Sequence, residues 1–143
     1  MFEQQFAVQS LHCMVEPLAV VAGVIRRDGH ILIGQRRRQS RHGLQWEFPG
    51  GKVERGETPR AALVRELREE LAIEAEAGAE AARFEHQYPG RPAILLVFFE
   101  VDVFTGEPRN LAFEQILWER PERLAGYDFL EADIAFVRTL GAG

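Results

Sequence analysis

Apolar positions along the chain divide it into short extended segments and two amphipathic helices. Residues 18–25 and 30–35 are rich in aliphatic and β-branched side chains, and Asp28 and Gly29 between them form a hairpin turn signal. The two runs are expected to pair as strands. A short strand is predicted over 44–48, with others near 73–77, 82–87 and 114–118. The longest apolar run, 93–104, suits a central strand. Leu63, Leu67 and Leu71 recur at i, i+4 and i+8, which predicts a helix with one buried stripe. Thr58 is a good N-cap for it, and Pro59 belongs at the first helical position. Residues 129–140 read as an amphipathic closing helix. This order of elements predicts an α/β protein, a mixed sheet sandwiched between helices.

The polar face of the first helix carries the candidate chemistry. Glu66, Glu69 and Glu70 stand at i, i+3 and i+4, so their side chains meet on one patch of the helix. Each like-charge pair costs roughly 0.2–0.5 kcal/mol on an exposed helix. A divalent ion that prefers oxygen ligands, Mg²⁺ or Mn²⁺, relieves that repulsion. Glutamate pairs flanked by arginines are also common on solvated helix faces, so ELREEL alone decides little.

The wider segment is more specific. Gly51, Glu57, Arg65, Glu66, Leu67, Glu69, Glu70 and Ile73 fall in the order and spacing of the Nudix box, and WEFPGGK over 46–52 resembles its entry in MutT-like nucleoside triphosphate pyrophosphohydrolases. Ala72 stands where the box has a glycine. That glycine normally closes the helix with φ > 0, so Ala72 is expected either to adopt a left-handed conformation at a cost of about 1 kcal/mol or to redirect the turn. The resemblance extends from about residue 18 to 140 and implies the Nudix α/β/α fold.

The resemblance also implies site roles. It gives metal ligation to the Gly50 carbonyl and to the carboxylates of Glu66, Glu69 and Glu70. Glu114 matches a further carboxylate outside the box. Glu66 or Glu69 is expected to be the base or to assist it, and spacing does not choose between them. Arg65, Glu57 and Lys52 are expected to support and orient the ligands. Arg36 matches a phosphate-contacting arginine whose guanidinium fork suits phosphate oxygens, and its arginine neighbours are expected to face solvent. Arg91 is a weaker candidate for phosphate or base. Phe48 and Tyr88 resemble stacking residues, and core packing is the alternative for each. Asp133, early in the last helix, is the expected reader of the base; an amide there would donate and accept, whereas an ionised aspartate only accepts.

Composition narrows the setting. A length of 143 residues, 46% of them hydrophobic, suits one globular domain spanning 1–143. A net charge of −5 argues against general nucleic-acid binding, although the cluster Arg36, Arg37, Arg38 and Arg41 suits one small anion. Cys13 is the only cysteine, so no intrachain disulfide forms, and no apolar run is long enough to cross a membrane. A reducing cytoplasm, a small nucleotide substrate, and no nucleic-acid, membrane or obligate protein partner are therefore expected. Residues 1–13 lack the pattern of a signal peptide and are expected to be a dispensable extension ahead of Met14.

Three functions fit these residues. The leading expectation is Mg²⁺-dependent hydrolysis of an oxidised or abnormal nucleoside triphosphate such as 8-oxo-dGTP to a monophosphate and pyrophosphate, a nucleotide-pool sanitation role tied to DNA repair. The second is another substrate: CTP, a methylated cytidine nucleotide such as 5-methyl-dCTP, ADP-ribose or a dinucleoside polyphosphate. The third is a catalytically silent Nudix domain that binds without turnover, which the mutual repulsion of three glutamates argues against.

Overall fold

The computed structural model describes residues 17–141, so the expectation for residues 1–13 lies outside it. The first hairpin forms as its residues dictate. Strand β1, Leu18–Arg27, turns through Asp28 and Gly29, both at positive φ, into β2, His30–Gln35. β1 is the axis of the main sheet. One edge pairs in parallel with β7, Ile94–Val101, over eight residues. The other edge is shared: β4, Gly50–Lys52, pairs with its beginning and β2 with its end. β2 in turn pairs with β3, Trp46–Glu47, and with β9, Gln115–Glu119, while β6, Glu80–His86, closes the far edge beside β7. β5, Glu74–Ala75, and β8, Phe104–Thr105, form a separate two-stranded ribbon.

Alternation along the central strands separates two cores. Val21, Ile25, Val97, Phe99 and Val101 face helix α1, Pro59–Leu71; Ala22, Val24, Leu96 and Phe98 face the closing helix α2, Glu131–Gly141. The predicted layering is therefore observed. Leu63, Leu67 and Leu71 are fully buried. Burying each contributes about 1.5–3 kcal/mol, several times the repulsion among the glutamates on the opposite face, so α1 tolerates its charged front. Across the sheet, Phe136 of α2 stacks on Phe98 with ring centroids 4.2 Å apart.

Several boundaries differ from the sequence expectation. A pair of adjacent glycines ordinarily signals a turn, yet Gly50 and Gly51 hydrogen-bond to β1 as strand β4. The strand expected over 44–48 shrinks to β3 because Leu44 takes a left-handed φ of 68°. The run 93–104 breaks at Asp102 and Val103 into β7 and β8. A 3-10 turn, Pro121–Gly126, precedes α2 and delays its start to Glu131. Ala72 resolves the other open point: it takes the left-handed conformation, φ 57° and ψ 33°, with its amide donating to the Arg68 carbonyl at 3.0 Å.

Candidate active site

The helix α1 starts where its cap dictates. Thr58 Oγ1 accepts the Ala61 amide at 3.1 Å, with Pro59 in the first turn. From there Glu66, Glu69 and Glu70 project beside the glycine pair. The glycines permit this approach: a Cβ at Gly51 would lie 2.5–2.7 Å from the Glu66 carboxyl group, and one at Gly50 would overlap the Val21 carbonyl. The Gly50 amide donates to Glu70 Oε1 at 3.0 Å. β4 thus docks the loop on β1 and pins one carboxylate.

Arg65 organises the others. It donates through Nε and Nη2 to both oxygens of Glu57 at 2.7 and 2.9 Å, through Nη1 to Glu66 at 2.8 Å and Glu69 at 3.3 Å, and through Nη2 to the Lys52 carbonyl at 3.0 Å. This fork holds the Glu57 carboxyl down at about 2, helped by the Glu54 amide. Lys52 joins this web through its backbone. Burial pushes the other way at Glu66, whose pKa rises despite Arg65. Glu70 rises further, to about 9, because burial is reinforced by Glu47 and Glu66. Concentrated oxygen donors whose negative charge is disfavoured in this way fit a hard divalent cation. As the side chains stand among the described residues, no three acidic or histidine groups converge within ligand distance, because Arg65 and the Gly50 amide hold them.

Glu47, within the WEFPGGK segment, carries no expected role from sequence, and the structure gives it a central position. It lines two adjoining depressions. On one side a cleft is formed by Arg36, Arg37, Ser40, Glu47, Glu70, Ala112 and Phe113. Arg36 Nη1 donates to both Glu47 oxygens at 3.2 and 3.3 Å, and its Nε donates to the Arg41 carbonyl at 2.7 Å. Even so, burial raises the Glu47 pKa. The signal available in the sequence was a glutamate between two aromatics, Trp46 and Phe48, both of them buried. The arginine neighbours of Arg36, at 37, 38 and 41, are exposed as expected, and Arg37 in addition borders the cleft.

On the other side of Glu47 lies an apolar pocket walled by Val20, Ala22, Phe48, Tyr88, Leu96 and Asp133. Asp133 is 4% exposed, and burial together with nearby Glu47 raises its pKa well above the usual aspartate range. Burial thus disfavours the ionised form, and a protonated carboxyl would donate as well as accept. The helix bearing it is fixed from two directions: Leu130 donates to the Trp46 carbonyl at 2.9 Å, and the Ala132 amide donates to the Tyr88 hydroxyl at 3.1 Å. Tyr88 packs against His86 and His42. Phe48 is 3% exposed and packs against Phe98, Phe129 and Phe136, so its ring serves the core as well as the pocket wall.

Two expected residues stand apart. Arg91 is exposed and lines neither depression; its amide donates to the Tyr88 carbonyl at 3.0 Å. Glu114 accepts the Arg38 amide at 3.2 Å and lies beside the cleft-lining Phe113 without joining the glutamates of α1.

Known proteins resemble both the sequence and this arrangement. The NUDIX domain model matches residues 16–139. A CTP pyrophosphohydrolase of Escherichia coli is 42% identical over 125 residues, 87% of this chain and 92% of that protein. An 8-oxo-dGTP diphosphatase of Haemophilus influenzae is 36% identical over 124 residues, 86% and 90% of the two chains. Among solved structures, that of the E. coli ORF135 protein superposes with a TM-score of 0.80 at 42% identity, covering 89% of this chain and 90% of that one. With the box glutamates grouped on α1 and the match running nearly end to end through the described fold, the chain belongs to the NUDIX family and is a Nudix hydrolase.

Proposed function

We propose that this Nudix hydrolase is a Mg²⁺-dependent nucleoside triphosphate pyrophosphohydrolase that removes oxidised or abnormal nucleotides, with 8-oxo-dGTP as the leading substrate and Mn²⁺ a possible substitute metal. The observation behind this reading is the juxtaposition across Glu47 of a cleft lined by Arg36, Arg37 and Glu70 and an apolar pocket ending in Asp133. One part suits a polyphosphate and the other a flat base. A reducing cytoplasm is part of the same reading, and the single cysteine supports it.

Glu66, Glu69 and Glu70, with the Gly50 carbonyl, would hold the metal, and Glu114 would join them by movement of its loop. When bound, the ion neutralises phosphate oxygens and lowers the pKa of water. The chain's own groups do the rest. Arg36 contacts phosphate oxygens, Glu66 or Glu69 accepts a proton from the attacking water, and Arg65 with Glu57 and Lys52 keeps both carboxylates aligned. Water oxygen bonds to the β-phosphorus as the bond from that phosphorus to the α,β-bridging oxygen breaks. The bridging oxygen leaves with the nucleoside monophosphate, and the remainder is pyrophosphate. Phe48 and Tyr88 flank the base, and Asp133 reads its polar edge.

A cytidine triphosphate is the second reading. Asp133 in the place of an amide and the 42% identity to a CTP pyrophosphohydrolase favour it. Pyrophosphate release with Mg²⁺, measured as kcat/KM for 8-oxo-dGTP, dGTP, CTP and 5-methyl-dCTP, separates the two. Each tenfold preference corresponds to about 1.4 kcal/mol of differential transition-state binding. A strong preference for 8-oxo-dGTP over dGTP supports sanitation; a preference for the cytidines replaces it with the second reading.

A further inference from the structure

The loop joining β2 to β3 is stiff and presents a second cation to the cleft. The Arg36 amide donates to the Gln45 carbonyl at 2.8 Å, Leu44 to Arg36 at 2.9 Å, and Ser40 to Arg37 at 3.0 Å. Gln35 Nε2 ties the Leu44 carbonyl at 3.0 Å. His42 and Leu44 hold left-handed φ values of 57° and 68°, a cost sustained only where the surroundings fix the backbone. Gly43 sits where a Cβ would overlap the Arg38 carbonyl. The loop is therefore built to hold one shape, and that shape sends Arg36, Arg37 and Ser40 to the same cleft.

The two arginines differ in availability. Arg36 has Nε on the Arg41 carbonyl and Nη1 on Glu47, which leaves Nη2 for a phosphate oxygen. Among the described residues Arg37 has no carboxylate within ion-pair distance. Its guanidinium makes one long contact, from Nη2 to the Leu111 carbonyl at 3.4 Å, next to the segment that supplies Ala112 and Phe113. A guanidinium whose charge is not neutralised, at the edge of a cleft that reaches Glu70, is suited to an anion brought there with a cation. Its planar fork matches two oxygens of a phosphate.

We propose that Arg37 binds the terminal phosphate of a nucleoside triphosphate. The site then favours triphosphates over substrates in which that phosphate is missing or capped. This rests on the pyrophosphohydrolase reading and adds a determinant of substrate class: Arg37 holds the β,γ end that becomes pyrophosphate, without forming or breaking a bond.

The test compares wild type, Arg37→Ala and Arg138→Ala. Arg138 is exposed on α2, across the sheet from α1, and its loss removes the same charge. Two measurements are made with Mg²⁺: kcat/KM for the pairs 8-oxo-dGTP with 8-oxo-dGDP and CTP with CDP, and calorimetric binding of inorganic pyrophosphate. Arg37→Ala should lower kcat/KM for the triphosphate by about tenfold and weaken pyrophosphate binding similarly, while changing the diphosphate by less than about twofold. Arg138→Ala should alter neither. Equal losses on tri- and diphosphate, or unchanged pyrophosphate binding, would overturn the assignment. If wild type releases pyrophosphate from neither triphosphate, the underlying reading falls, and the binding arm still decides whether Arg37 is part of an anion site.

Discussion

The two halves of the site handle carboxylates in opposite ways. Glu57, just before α1, and Glu66 and Glu69 on it share one arginine whose fork reaches all three. Across Glu47, Asp133 lies buried in an apolar pocket, and burial itself disfavours its charge. The first half is a patch of oxygen donors suited to a cation; the second is a buried carboxyl whose charge is disfavoured, set at the floor of an apolar pocket. One functional group, the carboxyl, serves both tasks because its surroundings set its charge.

The largest break in this comparison is expected at the anionic half. Glu69→Gln keeps the volume and removes one ligand charge, so turnover should fall by between about a hundredfold and ten-thousandfold. Thermal unfolding should stay within about 0.5 kcal/mol of wild type because the side chain is exposed. Unchanged turnover would remove Glu69 from the site.

Arg65→Ala tests whether the web matters beyond surface charge. Loss of its fork should lower kcat/KM by about 10–100-fold. Arg65→Lys should recover little, since one ammonium cannot span Glu57, Glu66 and Glu69. A variant with full activity would reduce the web to ordinary surface ion pairs.

At the neutral half, Asp133→Asn should change the ratio of kcat/KM between 8-oxo-dGTP and CTP by about tenfold, with both substrates assayed side by side. The same variant sharpens the charge argument. Asp133 has an unfolded-state pKa of about 4 and a raised value when folded, so the folded state binds its proton more tightly. Its stabilising contribution is complete below about pH 4 and is lost as pH rises through the folded-state value. Glu70 acts in the same sense, from its ordinary range up to about 9. Metal-free wild type should therefore lose stability as pH rises above about 4, and Asp133→Asn should lose less. Identical slopes in denaturant titrations across this range would contradict a buried, neutral Asp133.

The smallest effect is expected at the end of α1. Ala72→Gly relieves a left-handed alanine while adding freedom to the unfolded chain, so a net gain of about 0.5–1 kcal/mol is expected, or about 2–4 °C in melting temperature. A lower melting temperature would mean that Ala72 is not strained.

The same division explains what could be read in advance. The α1 half is local: cap, leucine stripe and glutamates lie within one short segment, so spacing alone groups them. The layered fold was equally legible, because apolar runs and the Asp28 and Gly29 turn mark the strands. The other half is assembled from β1, β3, β7 and α2 by pairing and packing. Burial of Asp133 and the bridging position of Glu47 follow from these distant contacts, which periodicity does not encode. Arg37 escaped for a third reason: the turn of its loop depends on left-handed backbone at His42 and Leu44, residues that do not announce it. Gly50 and Gly51 read as a turn, and neither their close approach to Glu66 and Val21 nor their pairing with β1 was legible.

The central claim is that the α1 glutamates are arranged for a divalent cation and do not merely serve as salt-bridge partners of Arg65. Titration of Mn²⁺ by electron paramagnetic resonance, with wild type and Glu69→Gln at the same pH, tests it most directly. The account predicts saturable binding to wild type and at least about tenfold weaker binding to the variant; equal affinity in the two proteins, or no binding to wild type, would contradict it.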